Sequence, residues 1–420
     1  MIKKILPKSE FSKNVIILMT GTTVAQAIPI TITPILTRMY SPEDFGVLAL
    51  FVAITAILGS IANGRYELAI MLPDSDDDAI NIAAMGMLIA SILALLLFMP
   101  AVFLNDYISA KLENSFIGFW LYFVPSVVWL LGLYNILNYL NNRKQCYKDM
   151  AKATVYKSVA QTAVQLSVGA VKATASGLIS GQIASNLAAN FRLVVNVKRQ
   201  YQLSKVSWVE MKRLGRRYIG FPKYSMWATL SNTLSYQLLN MLIAVFYSVG
   251  TLGFYSLAQR ILGMPSSLIG ESIGRVYFKQ ATIEKNNTGK AIKIFNSTTK
   301  KLVLLSFLIF LPLYFILPSI FEIAFGQQWR IAGVYSQLIL PVFIFRFISA
   351  ALSTTNSVFE KQGLSLAWQI GLLVLSLFTL SVCGYYQLGF EMFLRAYTVV
   401  ISLHYILLYC ILKKVAGARV

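Results

Sequence analysis

Runs of about 20 apolar residues recur along the whole 420-residue chain, and each is long enough to cross a hydrocarbon core of about 30 Å. Only helices and closed barrels satisfy every backbone polar group inside such a core. The runs lack the apolar–polar alternation of barrel strands. Charged residues make up 13% of the chain, well below the roughly 25% of a soluble domain. The sequence therefore predicts an all-α polytopic membrane protein.

We predict twelve transmembrane spans from the positions of these runs. They lie at residues 14–37, 45–66, 80–104, 116–137, 154–172, 175–196, 224–247, 251–275, 302–323, 333–356, 364–384 and 390–412. The longest connection divides the spans into six and six. The predicted organisation is an N-terminal six-helix lobe at 1–196, a basic cytoplasmic linker at 197–223 and a C-terminal six-helix lobe at 224–420.

Positive charge is distributed unevenly between the two sides of the membrane. The termini and the loops on their side hold 28 of the 37 Lys and Arg residues, and the opposite loops hold four. Cytoplasmic loops carry such an excess, so both termini are predicted to be cytoplasmic. The same asymmetry accounts for most of the net charge of +20 without a nucleic acid partner.

The linker at residues 197–223 carries eight basic residues and one acidic residue. Four of its side chains share one helical face if the segment is helical: Trp208, Met211, Gly215 and Tyr218. Such a face favours a helix on the membrane surface against anionic lipid. A solvated cytoplasmic loop is the equally weighted alternative.

A short motif returns after 207 residues, as YSPEDFG at 40–46 and YSVGTLG at 247–253. With this offset, polar residues of the helix before each motif also align, namely Thr22 with Thr229, Gln26 with Thr233, and Thr33 with Asn240. The repeat predicts two lobes related by a parallel pseudo-two-fold axis around a central cavity, as in transporters. The alternative is that these hydroxyls bond to carbonyls of their own helix.

The stretch at residues 218–281 is the most distinctive part of the sequence. It contains Phe-Pro before the seventh span, Gly-Phe-Tyr-Ser-Leu-Ala-Gln-Arg opening the eighth, and a closing run from Pro265 to Val276-Tyr277-Phe278. LTRMYSPEDFGVLALF and RYELAIMLP in the first half follow the same pattern. These motifs resemble bacterial lipid-linked oligosaccharide flippases, the O-antigen and capsule repeat-unit translocases of the multidrug/oligosaccharidyl-lipid/polysaccharide exporter superfamily.

The resemblance implies a protein of the bacterial inner membrane that carries an undecaprenyl-pyrophosphate-linked oligosaccharide from the inner to the outer leaflet. It implies two six-helix lobes that rock between inward-open and outward-open states. The implied partners are the lipid-linked oligosaccharide and membrane lipids. The polysaccharide polymerase and chain-length proteins are further candidate partners.

A pyrophosphate carried to membrane depth requires cations, and the planar fork of Arg matches phosphate oxygens. Arg260, in the eighth span, matches a basic position of the family's motif and is the first candidate, with a structural ion pair as its alternative. Arg65 is a candidate for the cytoplasmic entry or a plain interfacial anchor. Lys157 is a candidate unless it snorkels to the surface. Arg346 lies deeper and completes the set.

Uncharged polar side chains suit sugar hydroxyls, and we predict five of them to face the sugar: Asn232, Tyr236, Gln237, Asn240 and Gln26. Pro29 and Pro34 lie inside the first span and predict a bend that serves as a gate. Glu67 and Glu271 are candidates for ion coupling, although Glu271 also has the spacing for a simple pair with Arg275.

Enzymatic chemistry is not indicated by the sequence. There is no GxxxxGK[ST] phosphate loop, and the single histidine, His404, is predicted to serve in packing. The three cysteines lack metal-ligand spacing, and DSDDD at 74–78 lacks the glycine of a calcium loop and is predicted to be a solvated turn. We predict no cofactor and no metal. An ion-coupled multidrug exporter of the same superfamily is the alternative function, and a structural scaffold for polysaccharide assembly is a third.

Overall fold

The computed structural model describes residues 10–111 and 115–418, and within these residues it contains helices and no β-strand. A helix lies at each of the twelve predicted spans. The α-helices are α1 (Glu10–Met39), α2 (Pro42–Gly59), α3 (Tyr66–Ala69), α4 (Asp76–Phe103), α5 (Asn105–Lys111), α6 (Ser115–Leu121), α7 (Val124–Arg143), α8 (Tyr147–Val171), α9 (Ala175–Gln200), α10 (Trp208–Arg217), α11 (Met226–Phe246), α12 (Val249–Pro265), α13 (Glu271–Thr288), α14 (Ile292–Phe325), α15 (Arg330–Leu352), α16 (Thr355–Val358), α17 (Gln362–Tyr385) and α18 (Phe390–Ala416).

The chain forms two compact units, unit 1 ending at Gln237 and unit 2 beginning at Leu238, so the division falls within α11. Six helices in the described part are long and apolar enough to cross a membrane by length and composition: α2, α4, α14, the segment 327–358 that contains α15, α17 and α18. The predicted fold class, an all-α multi-pass membrane protein, is confirmed. The predicted lobe boundaries and pseudo-two-fold axis stay predictions.

The second and fourth spans are among those that differ from their predicted limits. The second was predicted to reach residue 66, but α2 ends at Gly59 and the chain turns before the short helix α3. The turn contains left-handed backbone at Gly64 and Arg65, with φ of 58° and 64°, which a continuous helix does not allow. The fourth span is divided into α6 and α7, because Pro125 in the first turn of α7 has no N–H to continue α6.

The repeated YS motif forms a helix cap in both units. Ser41 precedes α2, and its hydroxyl accepts a hydrogen bond from the Asp44 amide at 3.2 Å, while the Asp44 carboxylate accepts one from the Ser41 amide at 3.0 Å. Ser248 precedes α12 and accepts from the Thr251 amide at 3.0 Å. These caps satisfy amides that have no partner within the helix, so the motif has a structural role in starting the second helix of each half.

Close helix contacts in unit 1 depend on glycine. The hydroxyl of Tyr40, which is fully buried at the end of α1, donates to the Gln165 carbonyl of α8 at 2.6 Å. A Cβ at Gly177 of α9 would lie 2.1 Å from that hydroxyl oxygen, and one at Gly169 of α8 would lie 2.5 Å from it. Only glycine therefore allows Tyr40 to pack between α8 and α9.

Prolines in two helices leave carbonyl groups that side chains of neighbouring helices bind. Pro29 has no N–H, so the Ala25 carbonyl of α1 lacks its helical donor, and the Ser158 hydroxyl of α8 donates to it at 2.7 Å. In unit 2, Pro318 frees the Tyr314 carbonyl of α14, and Nε2 of Gln337 on α15 donates to it at 2.8 Å. We call these two arrangements the proline-freed carbonyl contacts.

The acidic run at 74–78 is mostly exposed, as predicted, and three of its carboxylates also form ion pairs. The Ser75 hydroxyl caps α4 by accepting from the Asp77 amide at 3.1 Å. The Asp76 carboxylate pairs with Arg143, at 3.1 Å, and with Lys144. The Asp78 carboxylate pairs with Arg213 of the linker at 2.9 Å. Acidic groups at a helix start also interact favourably with the helix dipole, which explains their position here.

Candidate functional site

Arg260 lies in the C-terminal half of α12, within the eighth predicted span. Its side chain is half-buried, and no hydrogen bond or ion pair connects it to another residue in the described part of the chain. The ion pair considered as the alternative is therefore absent from those residues. A guanidinium in this position can donate to a ligand without first breaking a protein contact.

A group of polar side chains from three helices of unit 2 surrounds Tyr255, which lies one turn before Gln259 on α12. The fully buried Tyr255 side chain has hydrogen bonds to Gln259 and to Tyr397 of α18, and it interacts electrostatically with Arg346 of α15. The Arg346 guanidinium also lies 5.7 Å from the centre of the Phe343 ring. We call Tyr255, Gln259, Arg346 and Tyr397 the unit 2 polar cluster, and α12 connects it to Arg260.

Arg65 and Glu67 form an ion pair in unit 1, with 3.1 Å between Nη1 and Oε1. Glu67 is 3% exposed, and its Oε2 atom and the Arg65 Nε atom are both buried with no hydrogen-bond partner among the described residues. Tyr139 of α7 interacts electrostatically with both charges. A non-glycine residue with left-handed backbone carries strain on the order of 1–3 kcal/mol and is often found at functional sites. Arg65 thus combines backbone strain with an incompletely paired charge.

Lys157 of α8 binds a ring and no carboxylate in the described part of the chain. Its Nζ atom lies 4.8 Å from the centre of the Tyr134 ring of α7, within the range of a cation–π interaction. The side chain is half-buried. The ammonium group thus contacts a ring of the adjacent helix, and both the cavity role and the snorkelling alternative stay predictions.

The five predicted sugar-facing residues lie on α11 and α1. On α11, Asn232 is half-buried with its Oδ1 atom lacking a hydrogen-bond partner among the described residues, and Tyr236 is exposed. Gln237 and Asn240 are half-buried, and Gln26 is exposed on α1. Spacings of four place Asn232, Tyr236 and Asn240 on one face of α11.

Some hydroxyl groups of the aligned polar residues bond to carbonyls of their own helix, which was the alternative to a polar cavity wall. The Thr33 hydroxyl donates to the Pro29 carbonyl at 2.6 Å, and the Thr233 hydroxyl donates to the Thr229 carbonyl at 2.9 Å. These groups are bonded to their own helices.

The predicted gate residues, Pro29 and Pro34, both lie inside the continuous helix α1. The side chain of Glu271, a candidate for ion coupling, lies outside the described part of the structure.

Several neighbours of the predicted cations are not among the residues predicted from the sequence. Gln259 and Tyr255 stand next to Arg260 in the GFYSLAQR motif, so the motif itself was a usable signal. Tyr134 and Tyr139 had no comparable signal, because tyrosine occurs 22 times in the chain and its presence in a span carries little information.

Burial raises the pKa of Glu67 above its ordinary value of 4.5, and Arg65 opposes this effect. The contribution of this carboxyl to folding stability is therefore complete below the unfolded-state pKa and is lost as the pH rises through the raised folded-state pKa. We expect Glu67→Gln to gain stability relative to the wild type as the pH rises through that window, by up to about 1.4 kcal/mol per pH unit. Thermal unfolding of the purified protein across this pH range measures the difference.

The matched control for Glu67→Gln is Glu43→Gln, because Glu43 is exposed at the start of α2. It removes one carboxylate from an exposed position and so measures the effect of the charge change without burial. A Glu67→Gln difference that does not change with pH would contradict the assignment of a raised pKa to Glu67.

The helix arrangement is similar to those of two solved membrane transport proteins. An inward-facing multidrug resistance MATE family transporter of the MOP superfamily superposes with a TM-score of 0.71 over 97% of this chain and 98% of its own, at 12% identity. The lipid II flippase MurJ, in an inward closed conformation, superposes with a TM-score of 0.72 over 97% of this chain and 90% of its own, also at 12% identity. At such identities the likeness shows the fold.

The family follows from sequence. Residues 35–333 match the model of the polysaccharide biosynthesis protein family, and the chain belongs to that family. It is 23% identical over 352 residues to the succinoglycan biosynthesis transport protein ExoT of Rhizobium meliloti, and 27% identical over 175 residues to the teichuronic acid biosynthesis protein TuaB of Bacillus subtilis. These alignments cover 80% and 41% of this chain, and 66% and 35% of the relatives' lengths.

Proposed function

We propose that this protein is a flippase that moves an undecaprenyl-pyrophosphate-linked oligosaccharide repeat unit, O-antigen or similar, across the bacterial inner membrane. The direction is from the cytoplasmic to the periplasmic leaflet, and the mechanism is alternating access. Membership of a polysaccharide biosynthesis family and relatives that are named for succinoglycan transport and teichuronic acid biosynthesis support a cargo of this class.

The observation that carries the proposal is the state of Arg260. A half-buried guanidinium with no protein partner in the described chain is costly unless a ligand or water binds it. A pyrophosphate provides negative oxygens in a geometry that the guanidinium binds with two parallel hydrogen bonds. In this proposal Arg260 binds the pyrophosphate during transport, and Arg346 adds positive charge from the unit 2 polar cluster.

The cations of unit 1 have an earlier role in the proposed cycle. Arg65 already has a carboxylate partner, so a pyrophosphate must compete with Glu67 for it. Protonation of Glu67 would release Arg65, which makes Glu67 the candidate for ion coupling. Lys157 lies over an aromatic ring that does not neutralise its charge, so its ammonium group remains attractive to an anion.

The glycan needs hydrogen-bonding groups without charge. Asn232, Tyr236, Gln237 and Asn240 on α11 provide them, together with Gln26 on α1. Bending of α1 at Pro29 and Pro34 is the proposed gate. The repeat unit then passes to the polysaccharide polymerase and chain-length proteins on the outer side.

Deletion of the protein in its host tests the function. Surface polysaccharide should be lost, and the lipid-linked repeat unit should accumulate on the cytoplasmic side of the membrane. Normal surface polysaccharide in a strain without a second flippase would refute the proposal. Loss of drug resistance with normal polysaccharide would identify the multidrug exporter instead, and loss of polysaccharide without accumulation on the cytoplasmic side would identify a scaffold for assembly.

A further inference from the structure

The basic linker, residues 197–223, carries eight Lys and Arg residues and a single Glu, and it has no part in the proposed transport cycle. Part of the linker is helical. Residues Trp208–Arg217 form helix α10, which packs on the first turns of α4, one of the six apolar helices. The linker is therefore an ordered element beside the end of a membrane span.

Helix α10 is held in one orientation by contacts over long sequence distances. The Tyr66 hydroxyl donates to the Gly215 carbonyl at 2.8 Å, and the Ser207 amide donates to Asn81 Oδ1 at 2.8 Å. Leu214 is fully buried, and a Cβ at Gly215 would lie 2.6 Å from the methyl carbon of Met85. Because the inner face is fixed in this way, the residues of the outer face have defined positions too.

The outer face of α10 combines apolar and basic side chains. Trp208 and Val209 are 63% and 72% exposed at its first turn. Lys212 and Arg216, one turn apart, are exposed and have no carboxylate partner among the described residues. Val209, Lys212 and Arg216 have the spacing of one helical stripe. The single acid of the linker, Glu210, is paired with Arg213 at 2.7 Å and does not neutralise this stripe.

A cavity of about 490 Å³ lies at the C-terminal end of α10, where the chain passes through a π-helical segment, Phe221–Ser225, into α11. Its walls come from Arg217, Tyr218, Gly220, Phe221, Tyr224, Ser225 and Ala228. Three aromatic rings and one guanidinium thus share a cavity of the size that small ligands occupy. Tyr224 at its edge is 66% exposed, and a Cβ at Gly220 would have no neighbour within 4 Å, so the cavity is open.

We propose that α10 and this cavity form a binding site for one anionic glycerophospholipid of the leaflet that adjoins the linker. The lipid-binding surface comprises Trp208, Val209, Lys212, Arg216, Arg217, Tyr218, Phe221 and Tyr224. Arg217 lies at the cavity, so its guanidinium donates to the lipid phosphate. Lys212 and Arg216 contribute the positive field along α10.

The apolar part of the surface distinguishes a lipid from a soluble anion. A free phosphate would be bound by the cations alone and would leave Trp208, Val209 and the rim of Tyr224 in water. Rings with an apolar body and a polar edge are enriched at the level of lipid headgroups, and basic clusters next to a membrane helix attract anionic lipids. Acyl chains cover the apolar side chains while the headgroup meets the cations, so one lipid satisfies both parts.

Native mass spectrometry of the detergent-solubilised full chain, titrated with phosphatidylglycerol or phosphatidylcholine, tests the site. The first phosphatidylglycerol should bind about tenfold more tightly than the first phosphatidylcholine. Changing Lys212, Arg216 and Arg217 to Gln together should remove most of this preference. Arg217→Gln alone should reduce it in the same direction by a smaller factor.

The matched control changes Lys148, Lys198 and Arg199 to Gln, which removes the same charge from exposed positions outside the surface. It should keep the preference within about twofold, because these three side chains are not part of the lipid-binding surface. Equal loss in both triple variants, or no preference in the wild type, would overturn the proposal. Glycerol 1-phosphate competing as well as the whole lipid would indicate a soluble anion, and tighter binding of a polyprenyl phosphate would indicate the cargo lipid; either result overturns the phospholipid assignment.

Discussion

Arg260→Ala is expected to reduce export of the lipid-linked repeat unit by about tenfold or more, because a hydrogen bond to a charged group contributes about 1.5–3 kcal/mol. Arg260→Lys should have a smaller effect, since it keeps the charge and loses the planar fork. The measurement is the rate at which surface polysaccharide appears in a deletion strain that carries each variant at equal protein level.

Arg330→Ala is the control for Arg260→Ala. Arg330 is exposed at the start of α15 and pairs with Glu322, so its removal should leave export near the wild-type rate. Equal losses for Arg260→Ala and Arg260→Lys would point to the bidentate geometry or to packing rather than to charge. Full export by Arg260→Ala would contradict the binding role and would favour the scaffold.

Gly333→Ala is expected to be the most destabilising conservative change in unit 2. A Cβ at this position of α15 would lie 2.6 Å from Pro318 Cα and 2.9 Å from the Leu317 carbonyl oxygen, both backbone atoms of α14. Backbone cannot move aside as a side chain does, so α14 and α15 must separate, at a cost of about 1–3 kcal/mol. The thermal unfolding midpoint of the purified variant should fall by several degrees.

Gly363→Ala is the matched control for the Gly333 variant. Gly363 lies in the first turn of α17, and a Cβ there would meet no heavy atom within 4 Å. Alanine is the better helix former, so this variant should be as stable as the wild type or slightly more stable. Equal destabilisation by both changes would mean that glycine flexibility, and not the α14–α15 contact, explains the loss.

The helices could be predicted because the bilayer core requires long apolar segments, and the hydropathy of the sequence shows these segments directly. All twelve predicted spans contain a helix, including α8 and α9, whose sequences are rich in polar residues. Hydropathy does not show where a side chain forms a hydrogen bond to backbone far away in the sequence. The end of α2 at Gly59 and the docking of α10 both involve such contacts, for example the bond from Tyr66 to Gly215 across 149 residues. Segments that interact at this range have no local pattern to reveal them.

Part of the candidate site could also be predicted from the sequence. Charged residues are scarce within apolar runs, so Arg260, Arg346 and Lys157 were noticeable in the sequence. Their surroundings were not, because the aromatic and amide groups around them also occur throughout the spans. His404 shows the limit well: its predicted packing role agrees with a ring stacked on Trp368, at 5.3 Å between centroids, but the partner could not be named.

The proline-freed carbonyl contacts constrain the order in which mutations are tolerated. If Ser158 is replaced first, the Ala25 carbonyl loses its donor in a buried position, at a cost of about 1–3 kcal/mol. If Pro29 is replaced first, the new backbone N–H restores the helical bond to Ala25 and the hydroxyl of Ser158 becomes dispensable. Pro29 and Ser158 therefore form an epistatic pair with a preferred mutational path. The hydrogen bond from Gln337 to the carbonyl that Pro318 frees is exposed, so the corresponding constraint in unit 2 is weaker.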